Sequence, residues 1–482
     1  MTTAFDGLTP AILWDCFKAI TQIPRGSGNE AGIRDWMLGW AEKHGFVGET
    51  DEIGNLLIRV PGSAGKENNE TVILQGHLDM VCEKNSDVEF DFDNEGIRVI
   101  RDGDWLKADG TTLGADNGIG IAIAMAAAVD PVVANPPLEL LFTIEEETGL
   151  TGASNLKTGW LTGKRLINID SEEEGYLFAG CAGGADTDAV FPAFMKPLAG
   201  TPEVVSLTAK GMIGGHSGLT IHENRANAVK IVAMVLHRLR QKSEFRLVNF
   251  VGGDKHNAIP REATAIIAGL GGLGNALELL LEELKPAFLQ EFGGTDPKLT
   301  FVVESATATE ALSDTDSLRL LQLILALPHG VDAMSKDIDG LVETSSNVAS
   351  IRWEGKEIKL LNSSRSSIAS ALDRVLERIG SVTLLAGGRP DFHEGYPGWQ
   401  PNMDSELLAF AKEVYKKATG NEAVVTAIHA GLECGIIGEA YPGLDTLSFG
   451  PDMFDVHSPD ERLAIASTQR FFEFFKQLMA AL

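Results

Sequence analysis

Short apolar runs alternate with helical patterns between about residues 54 and 178. The helical patterns place apolar residues three or four positions apart, whereas the short runs predict buried strands. This alternation predicts an α/β fold with a mainly parallel sheet covered by helices. The predicted elements are strands at 55–60, 71–74, 138–144 and 165–169 and a buried helix at 118–129.

The region from residue 187 to residue 393 has a different pattern, in which strands and helices follow each other in strand–helix–strand order. This pattern predicts an antiparallel α+β insertion. The first pattern then returns, with a helix predicted at 404–418 and a strand at 423–428. Because 482 residues exceed what one core usually holds, we expect one domain from residues 1–186 and 394–482 and an inserted domain at 187–393.

Charged and imidazole side chains follow three of the predicted strands. His77 and Asp79 follow the second strand, Glu145–Glu147 follow the third, and Asp170 follows the fourth. Ligands of parallel sheets bind at the carboxyl ends of the strands, so these groups are expected at one edge. Charges beside a core are costly unless a partner compensates them, which indicates a bound cation.

Two further residues complete the composition of a metal site. Asp116 stands just before the buried helix, and His457 lies near the C-terminal end of the chain. Imidazole and carboxylate suit zinc, and the absence of clustered cysteines argues against an iron–sulfur centre. Ordinary alternatives exist: a core histidine at position 77, a helix N-cap at Asp116 and a solvated charge run at Glu145–Glu147.

The spacing of these residues indicates separate roles. Asp79 follows His77 by two positions, so both side chains lie on one side of a strand, and Asp79 can orient the imidazole. Of Glu146 and Glu147, one can bind metal while its neighbour takes a proton from the attacking water. For Asp116, the functional interpretation, beside that of a helix N-cap, is a carboxylate that bridges two metal ions.

Two more charged segments have local interpretations. Glu172–Glu174 has the composition of a solvated face. Ser458–Glu461 has the pattern of a capping box, with a serine N-cap and a glutamate three positions later. This pattern predicts that a helix runs from Arg462 to the end of the chain.

Composition and charge exclude several classes of function. The 40 basic and 68 acidic residues give a net charge of −28, which disfavours nucleic acid and anionic membranes as partners. The four scattered cysteines fit a reducing compartment. Residues 1–10 lack the features of a signal peptide, and the longest apolar stretch is too short to span a bilayer. We expect a cytoplasmic protein.

The motifs together resemble the co-catalytic zinc peptidases that include carboxypeptidase G, the tripeptidases and the carnosinases. Within that family they are most similar to the bacterial dipeptidases that cleave Xaa-His. The resemblance covers nearly the whole chain. It is carried by residues 23–30, 75–81, 114–118, 146–149, 170, 428–435 and 457–461.

The resemblance implies a zinc-peptidase catalytic domain that holds two Zn²⁺ ions, for which Co²⁺ or Mn²⁺ can substitute. It places Glu146, Asp79 and His216 in catalysis: Glu146 as general base, Asp79 orienting His77, and His216 holding the developing oxyanion. The implied metal ligands are His77 and Asp170 for one ion, Glu147 and His457 for the other, and Asp116 between them.

The resemblance also makes the insertion at 187–393 a lid domain and implies a homodimer formed through it. Asn257 and Arg365 resemble lid residues that grip the substrate carboxylate. A dipeptide also carries a free amine, which needs an acidic partner, and Glu433 is the candidate. Its position after the predicted strand 423–428 places a carboxylate near that strand's carboxyl end.

The function predicted is that of a dinuclear zinc dipeptidase acting on Xaa-His. An N-acyl-amino-acid deacylase is an alternative, because it would use the same metals without a carboxylate for the amine. A metal-binding scaffold is a second alternative, but such a protein would be expected to lose the general base, and Glu146 is present.

Overall fold

A computed structural model describes residues 4–482; residues 1–3, part of the N-terminal segment considered above, lie outside the described residues. The chain divides into two compact units. In the described chain, the first comprises residues 4–181, 399–427 and 432–482, and the second comprises Ala182–Gly398 and Ile428–Gly431. No helix within residues 4–482 is both long and apolar enough to cross a membrane.

The first unit begins with two helices and then alternates strands with helices. Its elements up to residue 181 are α1 (Ala11–Thr21), α2 (Ala31–Lys43), β1 (Val47–Thr50), β2 (Leu56–Val60), β3 (Val72–His77), β4 (Val99–Asp102), β5 (Trp105–Ala108), α3 (Ala115–Val129), β6 (Leu138–Thr143), α4 (Thr151–Ser154), β7 (Arg165–Asn168) and β8 (Tyr176–Cys181).

The second unit is built mainly from strands, with four helices among its described residues. Its elements are β9 (Gly183–Pro192), β10 (Lys196–Pro197), β11 (Glu203–Lys210), β12 (Gly215–His216), a 3₁₀ helix (Ile221–Glu223), α5 (Ala228–Arg240), β13 (Phe245–Gly252), β14 (Ala258–Ile259), β15 (Ala263–Gly269), α6 (Leu273–Phe292), β16 (Thr300–Ser305), β17 (Glu310–Ala311), α7 (Asp314–Ala326), β18 (Gly330–Met334), β19 (Val342–Glu354), β20 (Glu357–Ser366), α8 (Ala369–Leu385) and β21 (Arg389–Phe392).

The chain then returns to the first unit. The remaining elements are α9 (Glu406–Thr419), β22 (Val424–Ile428), α10 (Glu433–Ala440), β23 (Asp445–Ser448), β24 (Met453–Phe454), β25 (Arg462–Ala464) and α11 (Ile465–Ala481). Helix α9 shows its local signals clearly. Ser405 caps its N-terminus by accepting a hydrogen bond from the N–H of Leu408, and Gly420 ends it in the left-handed conformation with φ of 78°.

The main sheet of the first unit has the strand order β1–β2–β6–β3–β7–β23–β8–β22. The neighbours β6, β3, β7 and β23 at its centre are parallel, whereas β1, β2 and β8 join antiparallel. Strands β3 and β6 are buried at every position, as expected for the centre of a parallel sheet. The α/β prediction is confirmed, and the sheet is mixed at its edges.

The core of the first unit lies between this sheet and its helices. Helix α3 is almost entirely buried and contacts β3 and α1. At the C-terminal end, α11 contributes Phe471, Phe472, Phe474 and Phe475 to the core, and Phe449 packs against three of these rings. These four phenylalanines form the apolar face with which α11 packs into the core of the first unit.

The main sheet of the second unit is antiparallel in its described pairings, as the sequence pattern predicts. Its strand order is β16–β11–β15–β13–β19–β20–β9–β21, and β18 pairs with β19. Helix α5 buries its apolar face against β11 and β15. The short strands β12 and β14 form a separate ladder that pairs His216 with Ala258.

The predicted capping box at Ser458–Glu461 is wrong. Residues Arg462–Ala464 form strand β25, which pairs with β5, and helix α11 begins only at Ile465. The side chain of Glu461 is buried and bonds to the backbone of a distant loop. The carboxylate of Glu461 therefore makes a tertiary contact, whereas the local pattern predicted that it would cap a helix N-terminus.

Candidate metal centre

The predicted ligands meet at the carboxyl edge of the parallel strands in the first unit. His77 is the last residue of β3, and Asp170 follows β7. Glu147 follows β6, Asp116 lies in the first turn of α3, and His457 lies in the loop between β24 and β25. These elements come from opposite ends of the chain, and the fold brings their side chains within hydrogen-bonding distance.

Asp116 lies between the two histidines. Its Oδ1 is 3.0 Å from Nε2 of His77, and its Oδ2 is 3.1 Å from Nε2 of His457. The two oxygens of one carboxylate are therefore directed toward two different imidazoles. This is the arrangement needed for a carboxylate that bridges two cations.

The remaining two carboxylates each approach one histidine. Asp170 Oδ1 is 3.3 Å from Nε2 of His77, and Glu147 Oε2 is 3.0 Å from Nε2 of His457. Within residues 4–482, potential ligand atoms that lie within 4.8 Å of one another form three groups: His77 with Asp116 and Asp170; His77 with Glu146 and Glu147; and Asp116 with Glu147 and His457.

The donor set fits divalent cations. Oε1 of Glu147 is buried and has no hydrogen-bond donor among the described residues, and Oδ1 of Asp170 is buried with Nε2 of His77 at 3.3 Å. Buried carboxylate oxygens without a donor are costly, and a cation would satisfy them. Histidine nitrogen and carboxylate oxygen are ligands that zinc accepts in sites with an open position.

Asp79 holds the ligands in place from behind. One of its oxygens is 3.3 Å from Nδ1 of His77 and accepts a hydrogen bond from the N–H of Glu146. The second oxygen accepts from the N–H of Glu147 and from the hydroxyl of Ser27. Although burial opposes ionisation, the contact with His77 and these donors keep the pKa of Asp79 low, at about 2.

Glu146 lies beside the ligands. Burial raises its pKa well above the usual range, and the carboxylates of Asp170, Glu433 and Glu147 act in the same direction, against the opposing effect of His77. A carboxylate with a raised pKa binds a proton more readily near neutral pH. This property suits a general base.

The pKa values of the two histidines are raised as well. Hydrogen bonding to Asp116 and Glu147 raises the pKa of His457 to about 11. Burial opposes charge on His77, but Asp170 and Asp116 outweigh burial and raise its pKa as well. A cation binding at these nitrogens would therefore displace protons.

Several residues that hold this site were not predicted from the sequence. Glu461 accepts hydrogen bonds from the N–H groups of four consecutive residues, Leu113 to Asp116. The buried guanidinium of Arg25 donates to the carbonyls of Leu78, Asp79 and Gly114. Arg25 lies in the 23–30 motif and Glu461 in the 457–461 motif, so the motifs themselves were the available signal.

Glu30 supports the turn after β6. Glu30 Oε1 accepts from the N–H of Glu145 at 3.1 Å, and Glu145 adopts a left-handed conformation with φ of 48°. At Gly76 a Cβ atom would lie 2.1 Å from Oδ1 of Asn117. The close approach of β3 to the start of α3 therefore requires glycine at this position.

Glu433 is buried in the first unit and begins helix α10. Its Oε2 accepts from Gln75 at 2.5 Å and from Thr143 at 2.8 Å. Burial raises the pKa of Glu433 to about 7.

The prediction that Glu172–Glu174 form a solvated face is partly wrong, because Glu172 is half-buried. Burial, together with the charges of Asp116 and Asp170, raises the pKa of Glu172 to about 8.

The predicted lid residues lie in the second unit. Nδ1 of His216 accepts hydrogen bonds from the N–H groups of Gly218 and Leu219, at 3.1 and 3.0 Å. Burial, together with Arg365 and His256, lowers the pKa of His216 to about 4. Its imidazole is therefore neutral at pH 7, and its proton is on Nε2.

Arg365 and Asn257 have different environments in that unit. Arg365 is buried, donates to the hydroxyl of Tyr396 at 2.8 Å, and has an Nε without a hydrogen-bond partner among residues 4–482. Asn257 is half-buried, and its carbonyl accepts from the N–H of Ser217 at 2.8 Å. That bond ties Asn257 to the residue after His216.

Comparisons with known proteins show the family of the chain. The pattern of peptidase family M20/M25/M40 matches residues 73–481. The chain is 39% identical over 473 residues to the cytosol non-specific dipeptidase of Escherichia coli, covering 98% of each chain.

Solved structures share the fold of this chain. The aminoacylhistidine dipeptidase of Vibrio alginolyticus superimposes with a TM-score of 0.92 at 39% identity, covering 99% of this chain and 98% of that one. A Staphylococcus aureus tripeptidase, 15% identical with a TM-score of 0.56 over 98% of both chains, shares the fold. By its sequence and its mixed α/β fold, the chain belongs to peptidase family M20/M25/M40.

Proposed function

We propose that this chain is a cytoplasmic dinuclear zinc dipeptidase that hydrolyses dipeptides, preferentially Xaa-His. The observation that carries the proposal is the position of Asp116, whose two oxygens lie 3.0 and 3.1 Å from two different histidines. The names of the two relatives at 39% identity, a dipeptidase and an aminoacylhistidine dipeptidase, support the substrate class.

The residues that would hold the two zinc ions are those of the cluster. His77 and Asp170 would hold one ion, Glu147 and His457 the other, and Asp116 both. When bound, the zinc ions would lower the pKa of water and polarise the substrate carbonyl. Co²⁺ or Mn²⁺ would be able to substitute, because they accept the same nitrogen and oxygen ligands.

Glu146 is the proposed general base. Its raised pKa lets it take the proton of the attacking water and later return it to the leaving amine. Asp79 is a positioning residue, because it contacts Nδ1 of His77 and fixes the backbone N–H groups of Glu146 and Glu147. One carboxylate thereby sets the direction of a ligand and of the base.

His216 is the proposed donor to the carbonyl oxygen as negative charge develops there. Two backbone N–H groups occupy its Nδ1, so Nε2 carries the proton and can donate. Its low pKa keeps the imidazole neutral at working pH. A donor fixed in advance loses little free energy to reorganisation during the reaction.

Both charged ends of a dipeptide would be recognised. Glu433 would accept from the free ammonium, and Arg365 and Asn257 would bind the carboxylate. Arg365 has a buried Nε without a partner in the described chain, which supports a donor role.

A homodimer formed through the second unit is also part of the proposal, and sedimentation velocity of the purified protein would test it.

The deciding experiment is an assay of hydrolysis with a panel of Xaa-His dipeptides and dipeptides of other sequence, each with a free and with an N-acetylated amine. The protein would be assayed after metal removal and again after addition of Zn²⁺. We expect hydrolysis of free dipeptides that requires added metal, with acetylated substrates much poorer. Equal cleavage of free and acetylated substrates would favour the deacylase, and metal binding without hydrolysis of any substrate would favour the scaffold.

A further inference from the structure

A row of polar side chains crosses the parallel strands at the centre of the first unit. Gln75 on β3 is paired in register with Asn168 on β7, which is paired with Ser448 on β23. All three are buried. The strands of a buried parallel sheet are usually apolar throughout, and a buried amide is costly unless it is hydrogen-bonded. The row is therefore stable only if its members find hydrogen-bond partners.

The row is part of a continuous chain of hydrogen bonds. Ser448 Oγ donates to Asn168 Oδ1 at 2.5 Å, Asn168 Nδ2 donates to Gln75 Oε1 at 2.6 Å, and Gln75 Nε2 donates to Glu433 Oε2 at 2.5 Å. Ser171 Oγ lies 2.7 Å from Ser448 Oγ. Because Ser448 uses its proton on Asn168, Ser171 is the donor in that pair. Every bond in the chain therefore donates toward Glu433.

The chain ends at a carboxylate that is only half satisfied. Oε2 of Glu433 accepts from Gln75 and from the hydroxyl of Thr143. Oε1 of the same group is buried and has no donor anywhere in residues 4–482, and the whole residue is 1% exposed. A buried acceptor without a donor costs free energy. A ligand that brings its own donors would compensate for that cost.

We propose that Gln75, Asn168, Ser448 and Ser171 form a positioning chain for recognition of the substrate ammonium by Glu433. This inference rests on the proposed function. The positioning chain of hydrogen bonds fixes Oε2 of Glu433 and leaves Oε1 of Glu433 as the acceptor for the ammonium. Donors aligned in one direction polarise one another, which stabilises the ionised carboxylate that a cationic ligand requires. Residues that do not touch the substrate thus set the preference for a free amine.

A purely structural role predicts a different result. If the chain only anchored helix α10 to the sheet, weakening it would disturb the site as a whole and would slow all substrates alike. A positioning role acts on one end of the substrate. The two roles therefore differ in the ratio of kcat/KM between free and N-acetylated dipeptide, and this ratio is the quantity to measure.

The experiment compares Gln75→Leu, Ser448→Ala and Glu433→Gln with the unmodified zinc-loaded protein, using alanyl-histidine and N-acetyl-alanyl-histidine. We expect Glu433→Gln to lower the ratio by about 30-fold or more, the lower end for truncating one partner of a buried charge pair. Gln75→Leu is expected to lower it by about 10-fold, the scale of one buried hydrogen-bond partner. Ser448→Ala, which lies two hydrogen bonds further from Glu433 than Gln75 does, is expected to lower it less.

The matched control is Thr446→Val, which changes a buried residue of the same strand outside the chain and should leave the ratio unchanged. Zinc content and circular dichroism should be the same in all variants. Binding measured by calorimetry in a Glu146→Gln background gives a second readout, in which free dipeptide should bind more weakly to the Ser448→Ala variant while acetylated dipeptide does not.

Three results would overturn the inference, each in a distinguishable way. The first is that Gln75→Leu and Ser448→Ala slow both substrates by one common factor while Glu433→Gln changes the ratio. In that case the hydrogen-bonded row of Gln75, Asn168, Ser448 and Ser171 is only structural, and Glu433 keeps its role. If Glu433→Gln leaves the ratio unchanged, the ammonium contact itself is wrong. If the unmodified zinc-loaded protein cleaves neither substrate, the proposed function fails and the inference fails with it.

Discussion

The carboxylate of Glu461 accepts a hydrogen bond from the backbone N–H of Asp116, at 3.3 Å. The same carboxylate accepts from the three preceding N–H groups at 2.7 to 2.9 Å. A single side chain therefore fixes the whole turn that presents Asp116 to His77 and His457. The position of the proposed bridging ligand is set by a residue that touches no ligand atom itself.

Replacing Glu461 by glutamine should reduce metal affinity without removing any ligand. The amide has one oxygen instead of two and would turn an N–H₂ group toward backbone N–H groups. Supports of this kind typically change metal affinity by about 10- to 100-fold. Competition with a chelator would measure the change, and both zinc ions should be affected because Asp116 contacts both histidines. Glu473→Gln, on an exposed part of α11, is the control; equal affinity in both variants would refute the support role.

Replacing Glu146 by glutamine should abolish turnover and leave the metal content near normal. The amide cannot take a proton, whereas the proposed ligands are untouched. Loss of a general base typically costs about 10²- to 10⁴-fold in rate. Rate assays and elemental analysis of the same preparation give the result. Glu145→Gln is the matched control and should retain activity; an active Glu146→Gln variant would mean that another group is the base.

Replacing His457 and Asp116 by alanine should give different metal stoichiometries. Nε2 of His457 contacts Asp116 and Glu147, which are the other proposed ligands of a single zinc ion. Loss of His457 should therefore empty mainly that one site. Asp116 contacts both histidines, so its loss should weaken both sites. Metal analysis after gel filtration distinguishes the two patterns. The same loss in both variants would argue against a bridging carboxylate.

Replacing His216 by alanine should lower kcat far more than it raises KM. A donor that acts mainly on the developing oxyanion stabilises the transition state and contributes little to binding of the ground state. Steady-state kinetics would measure the effect, with zinc content unchanged. His222→Ala, an exposed histidine nearby in sequence, serves for comparison. An effect on KM alone would make His216 a residue of substrate binding.

The stability of the protein should depend on His429 at acid pH. Burial, followed by the charge of Arg365, lowers the pKa of His429 to about 3, and its Nε2 is 2.7 Å from the hydroxyl of Ser345. Below the unfolded pKa of 6.5 the unfolded chain binds a proton that the folded chain does not. The free energy of unfolding therefore falls as pH drops toward 3, and above pH 6.5 this residue adds no pH dependence.

The variant His429→Gln should remove that dependence. Between pH 7 and pH 5 the stability gap between the unmodified protein and the variant should narrow by about 2 kcal/mol, at about 1.4 kcal/mol per pH unit below 6.5. Urea unfolding at both pH values would measure the gap. His237→Gln, a half-buried histidine on α5, is the control. If the difference in free energy of unfolding between the two proteins does not change with pH, His429 binds a proton in the folded protein as readily as in the unfolded chain.

The sequence predicted the elements and the metal-type residues because both depend on local patterns. The strand before His77 and the strand before Glu145 are apolar runs that end abruptly in charge, and charge at the end of a buried strand requires a compensating partner such as a cation. The helix predicted from 404 to 418 is a further example, and it is α9 in the structure. The structure gives α9 bounds that differ from this prediction by two residues or fewer.

Contacts between distant segments could not be predicted in this way. Glu461 matches a local capping pattern, but its carboxylate bonds to the turn before α3, almost 350 positions earlier. Gln75, Asn168 and Ser448 lie in separate strands, and their alignment in one row depends on the register between those strands. Nothing within a single strand indicates that its polar residue has a partner across the sheet.

The order of the ligands along the chain has a consequence for biosynthesis. His77 and Asp116 are synthesised before the second unit, whereas His457 and Glu461 are synthesised after all of its residues. A nascent chain can therefore contain a complete second unit and still lack one imidazole and the support of the Asp116 turn. The proposed metal centre can be completed only after residues 457–461 have been synthesised, and a chain truncated before residue 457 would lack one of its ligands.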